Sequence, residues 1–283
     1  MNKLKSLLQK LKKNFDKRKR VFIGGTMVII LLLAGIFAPI IAPYHPYEQN
    51  FDSILQPPSS NHLFGTDQFG RDMFSRVIHG IRISLLEIFF SISLSILIGV
   101  PFGIIAGYIG GNVDQLIMWA FDIIFAFPGI ILAILIVSVL GPSLINMLIA
   151  ISIFSVPIFG RLSRNITLSL KEQEFVIAAK ALGASNFRIM TKHILKNSLA
   201  PLIVQATLTA GGVILTASSL SFLGLGVQPP SPEWGRLIGT GRNFIGVATY
   251  MSLFPGMAIT YTVLAFNILG DGLRDYLDPK IKG

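Results

Sequence analysis

The chain has 283 residues, of which 52% are hydrophobic and only 13% are charged. A soluble domain usually carries about 25% charged residues, so this composition argues against an ordinary water-soluble fold. The net charge of +10 would suit nucleic acid, and the absence of cysteine excludes disulfides and thiol chemistry.

Five long blocks contain no Asp, Glu, Lys or Arg: residues 21–43, 88–113, 123–160, 197–232 and 243–270. A helix of roughly 20 apolar residues crosses a bilayer core about 30 Å thick. The third block is too long for one helix, and Gly141-Pro142-Ser143 interrupts it, which predicts a helical hairpin. We therefore predict an all-α integral membrane protein with six transmembrane helices.

The distribution of Lys and Arg predicts the orientation, because these residues concentrate in cytoplasmic segments. With the N-terminus inside, the three inner segments hold 19 of the 24 Lys and Arg residues. The other five lie outside: Arg71, Arg76, Arg82, Arg236 and Arg242. The basic N-terminus is thus explained by orientation and by attraction to lipid headgroups, and nucleic-acid binding is not expected.

These assignments divide the chain into a series of segments with both termini in the cytoplasm. They are a basic N-terminus at 1–20, a first transmembrane helix at 21–43, an outer segment at 44–83, a core of five transmembrane helices at 84–276 and a tail at 277–283. Within the core, the cytoplasmic loop covers residues 162–197.

The outer segment ends in an amphipathic pattern that starts at Arg71. Apolar residues such as Met73 and Val77 face one way and polar residues such as Arg76 face the other, which predicts a helix on the outer membrane surface. The helix is either an interfacial anchor or a contact for an external protein. Contact with an external protein would involve residues of this segment and of the loop before the last span. These residues are Arg71, Arg76, Glu233, Trp234, Arg236 and Arg242. Trp234 is alternatively an interfacial anchor.

Charged residues are nearly absent from the predicted spans. Glu87 is placed at the outer start of one helix and Asp122 at the cytoplasmic start of another, where both can reach the interface. The lack of ionisable groups at mid-span weakens a proton-coupled carrier. The second span also carries glycines at every fourth position, 99, 103, 107 and 111, which predicts close helix packing or, alternatively, a gating role.

The cytoplasmic loop is predicted to contain two short helices. Ser169 and Glu172 form a capping box at the start of the first, and Gly183 suits the left-handed position at its end. Ser185 can cap the second helix. An apolar face formed by Phe175, Ala178, Ala179 and Leu182 either docks into a partner's groove or folds back on the chain's own spans. Periodicity alone leaves both possibilities open.

Residues 174–189, EFVIAAKALGASNFRI, followed by HILKNSLAP at 193–201, resemble the EAA loop of ABC-importer permeases. In that family the loop is the coupling helix that docks into the ATPase subunit. The resemblance implies these docking residues here: Glu174, Phe175, Ala178, Ala179, Leu182, Gly183, Phe187 and Arg188. Ile177 stands where the family usually has Glu, and Lys196 where it usually has Pro.

Three further stretches resemble the C-type permeases of dipeptide, oligopeptide and nickel ABC importers. They are HLFGTDQFGRDMFSR at 62–76 with GIRISL at 80–85, Asp122 with AFP at 126–128, and SFLGLGVQPP at 221–230 with Trp234-Gly235. The resemblance implies a type I, MetI-like architecture and transport by alternating access. The implied partners are a homologous B-type permease, two ATPases that hold ATP and Mg, and an extracellular or periplasmic substrate-binding protein.

The sequence contains none of the catalytic motifs considered: no G-x-x-x-x-G-K-[ST] phosphate cradle, no H-E-x-x-H and no G-x-S-x-G. We therefore expect a non-catalytic subunit without its own cofactor. The histidines, His45, His62, His79 and His193, are scattered, which predicts surface residues and no metal site. The expected solute is a peptide, the alternative is nickel or a metal–chelator complex, and a secondary carrier is a more distant alternative.

Overall fold

The computed structural model describes residues 2–277, with side chains from Lys19 onward. In this part of the chain the regular structure is helical, and one isolated β-bridge joins Thr66 to Asp72. The predicted all-α class is confirmed. Most of the predicted tail, residues 278–283, and the side chains of the basic segment 1–18 lie outside the described residues.

Eleven α-helices occur in the described residues. They are α1 Asn2–Ile36, α2 Ala38–Ile41, α3 Met73–Ile109, α4 Gly111–Phe125, α5 Gly129–Leu140, α6 Leu144–Leu170, α7 Glu174–Ala181, α8 Asn186–Arg188, α9 Lys196–Phe222, α10 Trp234–Gly241 and α11 Tyr250–Leu277. A π-helical stretch, Ile189–Leu195, joins α8 to α9, so that Asn186–Phe222 is one helical segment.

Five helical segments between residues 2 and 277 are long and apolar enough to cross a membrane. A sixth crossing is formed if α4 and α5 count as one, and these two helices meet at an angle of 86°. The hairpin predicted at residues 141–143 is present, because α5 ends at Leu140 and α6 begins at Leu144. Its first arm, however, is bent at Ala126-Phe127-Pro128 and is not one straight span.

One compact unit comprises residues 1–88, 142–144 and 207–283. In this unit α1 packs along α11, and small residues let the two backbones approach closely. A Cβ on Gly24 would lie 2.4 Å from the backbone nitrogen of Leu269, and one on Gly272 would lie 2.6 Å from that of Val21. Substitution of either glycine would therefore force the helices apart.

The other unit comprises residues 89–141 and 145–206. Here α3 packs against α6 through Gly99, Gly103 and Gly107, and a Cβ on Gly103 would lie only 2.1 Å from the carbonyl oxygen of Gly160. The glycine spacing thus serves close packing, as predicted, for three of its four members. Gly111 does not belong to this face, because α3 ends at Ile109 and Gly111 starts α4 with a φ of +57°.

The helix predicted to lie on the outer membrane surface is instead the first part of α3, which runs from Met73 to Ile109 without interruption. No helix-breaking dipeptide separates the amphipathic turns from the apolar run, so they form one helix. The predicted capping box is also wrong, because α6 continues through Ser169 to Leu170 and α7 begins only at Glu174. Asp122 lies near the end of α4 and not at a helix start, and it pairs with Arg161.

Candidate functional site

The first candidate site is the connecting segment, residues 171–185, between α6 and α8. Its single helix, α7, ends in a hydrogen-bonded turn typical of a glycine-terminated helix. The N–H of Gly183 donates to the carbonyl of Lys180 and the N–H of Ala184 to that of Ala179, both at 3.0 Å. Gly183 has a φ of +82°, which confirms the predicted left-handed position. Ser185 accepts from the N–H of Arg188 at 3.4 Å, as predicted for a helix cap.

The apolar face of the connecting segment is uncovered. Leu182 is 88% exposed and Phe187 is 73% exposed, and Phe175 is also exposed. Of the two predicted alanines, Ala178 is exposed and Ala179 is half-buried, while Glu174 and Arg188 are exposed. Within this chain, therefore, most of the predicted face does not fold back on the chain's own helices.

The inward face of α7 is marked by Val176, its one buried residue, which is only 3% exposed. Ile189 and Ile194 of the following π-helical stretch are fully buried beside it in the same unit. The sequence analysis did not single out Val176. Its spacing of three residues from half-buried Ala179 is a helical signal that could have identified the inward face.

Lys171 at the start of the connecting segment and Asn186 directly after its end are tied to the end of α3. The Lys171 ammonium donates to the carbonyl of Gly107 at 3.1 Å, and the Tyr108 hydroxyl donates to Asn186 Oδ1 at 3.0 Å. Arg164 of α6 donates to both oxygens of Asp114 in α4 at 2.5 Å. The contacts of Lys171 and Asn186 thus hold the residues on either side of α7 to the end of α3, and a separate ion pair holds α6 to α4. These partners are far apart in sequence, so the sequence analysis missed them.

The second candidate site is built from the segment predicted to lie outside. Asp67 is its centre, because Oδ1 accepts from the N–H groups of Phe69 and Arg71 and Oδ2 accepts from Arg71 Nε at 2.7 Å. Arg76 donates to the carbonyls of Pro46 at 2.8 Å and Pro230 at 3.2 Å. Arg71 and Arg76 are buried. The prediction that they contact an external protein directly is therefore wrong.

Glu233 and Trp234 are also buried. Glu233 caps α10 by accepting from the N–H of Gly235 at 2.8 Å and of Arg236 at 2.7 Å. The Trp234 indole donates to the carbonyl of Val77 at 2.9 Å. Both residues are 0% exposed. Trp234 is therefore not an interfacial anchor, and neither Trp234 nor Glu233 is an exposed contact residue. Gly80 makes this packing possible, because a Cβ there would lie 2.6 Å from the indole nitrogen.

Two further residues depart from their predicted positions in the same unit. Glu87 is fully buried in α3, and both of its carboxylate oxygens lack a hydrogen-bond partner. Because protein covers its side chain, Glu87 is an ionisable group inside the protein, and the argument against a carrier from the absence of such groups is weakened. His62, predicted to be a surface residue, is buried with its Nδ1 at 2.9 Å from Asp72 Oδ1.

Burial raises the pKa of Glu233 to about 7, while the hydrogen bonds from the backbone N–H groups of Gly235 and Arg236 act in the opposite direction.

Arg236 and Arg242 are more accessible to solvent than Glu233 and Trp234. Arg236 is half-buried, and Arg242 is exposed with its guanidinium 5.1 Å from the centre of the Phe222 ring. Among the described residues, no group of three or more His, Cys, Asp or Glu side chains could hold a metal ion.

The described residues thus combine apolar helices long enough to cross a membrane with a short helix, α7, whose apolar side chains are largely exposed. Residues 99–283 match the family model of the binding-protein-dependent transport system inner membrane component, and residues 6–58 match the N-terminal TM domain of oligopeptide transport permease C. The chain therefore belongs to the family of binding-protein-dependent transport system inner membrane components. It is a multi-pass membrane protein and a transport component.

Its relatives are permease subunits of known transport systems. The chain is 52% identical over 270 residues to the dipeptide transport system permease protein DppC of Alkalihalophilus pseudofirmus, which covers 95% of this chain and 89% of the relative. It is 46% identical over 272 residues to the glutathione transport system permease protein GsiD of Escherichia coli O6:K15:H31, with 96% and 90% covered. The corresponding protein of Pectobacterium atrosepticum is 44% identical over 260 residues, with 92% and 86% covered.

Proposed function

We propose that this chain is the translocation subunit of an ATP-driven ABC importer for di- or oligopeptides. The similarity to a dipeptide permease and to glutathione permeases supports the solute class, since glutathione is itself a tripeptide. A homologous B-type permease would complete the pore, and a binding protein on the outer side would deliver the peptide. The chain itself would be non-catalytic, with ATP and Mg held by two partner ATPases.

The uncovered apolar face of α7 carries the proposal of coupling. Exposed Phe175, Leu182 and Phe187 lie on or next to α7. Lys171 before this helix and Asn186 after it are hydrogen-bonded to the end of α3. Such a face is stabilised when a partner's groove removes it from water. The ATPase would then move α7, and the tether from Lys171 to Gly107 would transmit the displacement to the glycine-packed pair of α3 and α6. Alternating access follows from that movement.

The orientation proposed for this function places both termini and the connecting segment in the cytoplasm. The 19 Lys and Arg residues of the inner segments support it. Because the chain has no cysteine, single cysteines can be introduced without a background. A cysteine at exposed Gln49 should react with an impermeant thiol reagent in intact cells, whereas one at exposed Lys180 should react only after permeabilisation. Labelling of position 180 in intact cells would reverse the orientation.

The coupling proposal is tested with Ala178→Trp and its matched control Lys180→Trp. Ala178 and Lys180 are both exposed, and they lie about 200° apart around the helix. Overpacking a docked helix costs about 1–3 kcal/mol, so Ala178→Trp should weaken ATPase co-purification and lower ATP-dependent dipeptide uptake by about tenfold or more. The measurement uses the whole reconstituted transporter. Normal co-purification and uptake with Ala178→Trp would show that α7 is not the coupling element.

A further inference from the structure

A cavity of about 480 Å³ lies beside the buried Asp67 cluster. Only five Lys or Arg residues of the chain are predicted to lie on the outer side of the membrane. Four of the five line this one cavity: Arg71, Arg76, Arg236 and Arg242. Basic residues are disfavoured on that side, so their concentration around one cavity points to a function that needs positive charge. We call this cavity the arginine pocket.

The arginine pocket has one carboxylate among its lining residues, and that carboxylate is already engaged. Asp67 accepts from Arg71 Nε and from two backbone N–H groups. Arg76 is only 3% exposed, and its Nε, which lies 3.7 Å from Asp67 Oδ2, makes no hydrogen bond. The Nε of Arg236 is buried and also makes none. Both Nε atoms are buried, so the guanidinium groups that a solute can approach are those of half-buried Arg236 and exposed Arg242. Four guanidinium groups around one engaged carboxylate give the pocket excess positive charge, which suits an anion.

We propose that the arginine pocket binds the C-terminal carboxylate of the transported peptide; this inference rests on the peptide-import function proposed above. A guanidinium recognises a carboxylate through charge-assisted hydrogen bonds. The ammonium end of a peptide has no free carboxylate partner there, because Asp67 is occupied. The pocket thus binds the C-terminal end of the peptide and not its N-terminal end, which fixes the orientation of the bound peptide.

The volume and the lining residues of the arginine pocket favour a small solute as its ligand, rather than a single side chain of a docked protein. Its volume falls in the range of about 300–1,000 Å³ that is usual for small-molecule sites, so one acidic side chain would leave most of it empty. Phe69, Leu237 and Met251 add apolar surface next to the arginines. A dipeptide can place its carboxylate against the guanidinium groups and a side chain against this apolar wall.

The test compares alanyl-phenylalanine with alanyl-phenylalaninamide, which lacks the carboxylate charge. Uptake is measured in proteoliposomes that hold the complete transporter, at concentrations that saturate the binding protein with either peptide. We expect the wild type to import the acid about tenfold faster than the amide, the factor that one charge-assisted hydrogen bond supplies. Arg236→Gln and Arg242→Gln should bring the two rates together. Arg82→Gln removes the same charge from an exposed residue outside the pocket and should preserve the difference.

The outcomes separate this inference from the proposed function. If the wild type imports neither peptide with ATP, the peptide-import function fails. If it imports both at the same rate, or if Arg236→Gln lowers both rates equally, the carboxylate site is refuted while peptide import stands. An equal loss would instead indicate a role for Arg236 in docking the binding protein. Convergence of the two rates only in the pocket variants supports the proposal.

Discussion

The connecting segment and the Asp67 cluster use their residues in opposite ways. The connecting segment exposes most of its large apolar side chains, Phe175, Ile177 and Leu182, with Leu182 88% exposed. The Asp67 cluster, formed by Asp67, Arg71 and Arg76, buries its charges, with Arg76 and Asp67 at 3% and 2% exposure. Residue type alone would have predicted the opposite in each region: buried apolar side chains in the connecting segment and exposed charges in the Asp67 cluster.

This difference shows where each region finds its partners. A buried carboxylate persists when other groups of the same chain satisfy it, as Arg71 and two backbone N–H groups satisfy Asp67, so this part of the outer segment is a scaffold held together within the chain. An exposed apolar helix is incomplete until a second protein covers it. Substitutions in the cluster should therefore change the stability of the purified chain, and substitutions in the connecting segment should change its assembly.

Trp234→Ala should give the largest effect, a loss of about 3–5 kcal/mol in unfolding free energy, because it opens a cavity in a packed interior. It also leaves the carbonyl of Val77 without its indole donor. The measurement is thermal unfolding of the purified chain in detergent. The chain's other tryptophan supplies the control: Trp119 is 67% exposed, and Trp119→Ala should leave the unfolding temperature nearly unchanged. Equal effects of the two substitutions would contradict the scaffold interpretation.

The sequence predicted well what depends on neighbouring residues. Apolar blocks marked the membrane helices, and Gly183 marked the end of α7 because a left-handed residue is nearly always glycine there. Glycines spaced by four marked the contact of α3 with α6. In each case the controlling interaction repeats along the helix or closes within one turn, so a single sequence contains it.

The sequence failed where distant segments decide burial. Arg76 donates to carbonyls 30 and 154 residues away, and no local pattern indicates those pairings. The amphipathic pattern that starts at Arg71 is the same whether water or another part of the chain covers its polar face. The pattern therefore could not distinguish a surface helix from a buried one. The 86° bend between α4 and α5 could have been anticipated from Pro128, which disfavours helical backbone before it.

Glu233 should make the stability of the chain depend on pH. Its folded pKa, raised to about 7 by burial, lies above the unfolded value, so the folded chain binds the proton more tightly. That stabilisation is complete below the unfolded pKa and is lost as the pH rises through 7. We expect unfolding free energy to fall by roughly 2–3 kcal/mol from pH 5 to pH 8. Glu233→Gln should reduce this pH dependence, whereas the same change at exposed Glu172 should not.

Leu182→Ala should have the smallest effect on stability and still impair assembly. Leu182 is 88% exposed, so its removal opens no cavity and should change unfolding free energy by less than about 0.5 kcal/mol. If the ATPase buries this side chain, the same substitution removes about 2 kcal/mol of hydrophobic contact and weakens ATPase binding by roughly 30-fold. Titration of the ATPase onto the permease in nanodiscs measures this change, with Lys180→Ala as the control. A substitution that leaves both stability and ATPase affinity unchanged would mean that the exposed face of α7 does not contact the ATPase at Leu182.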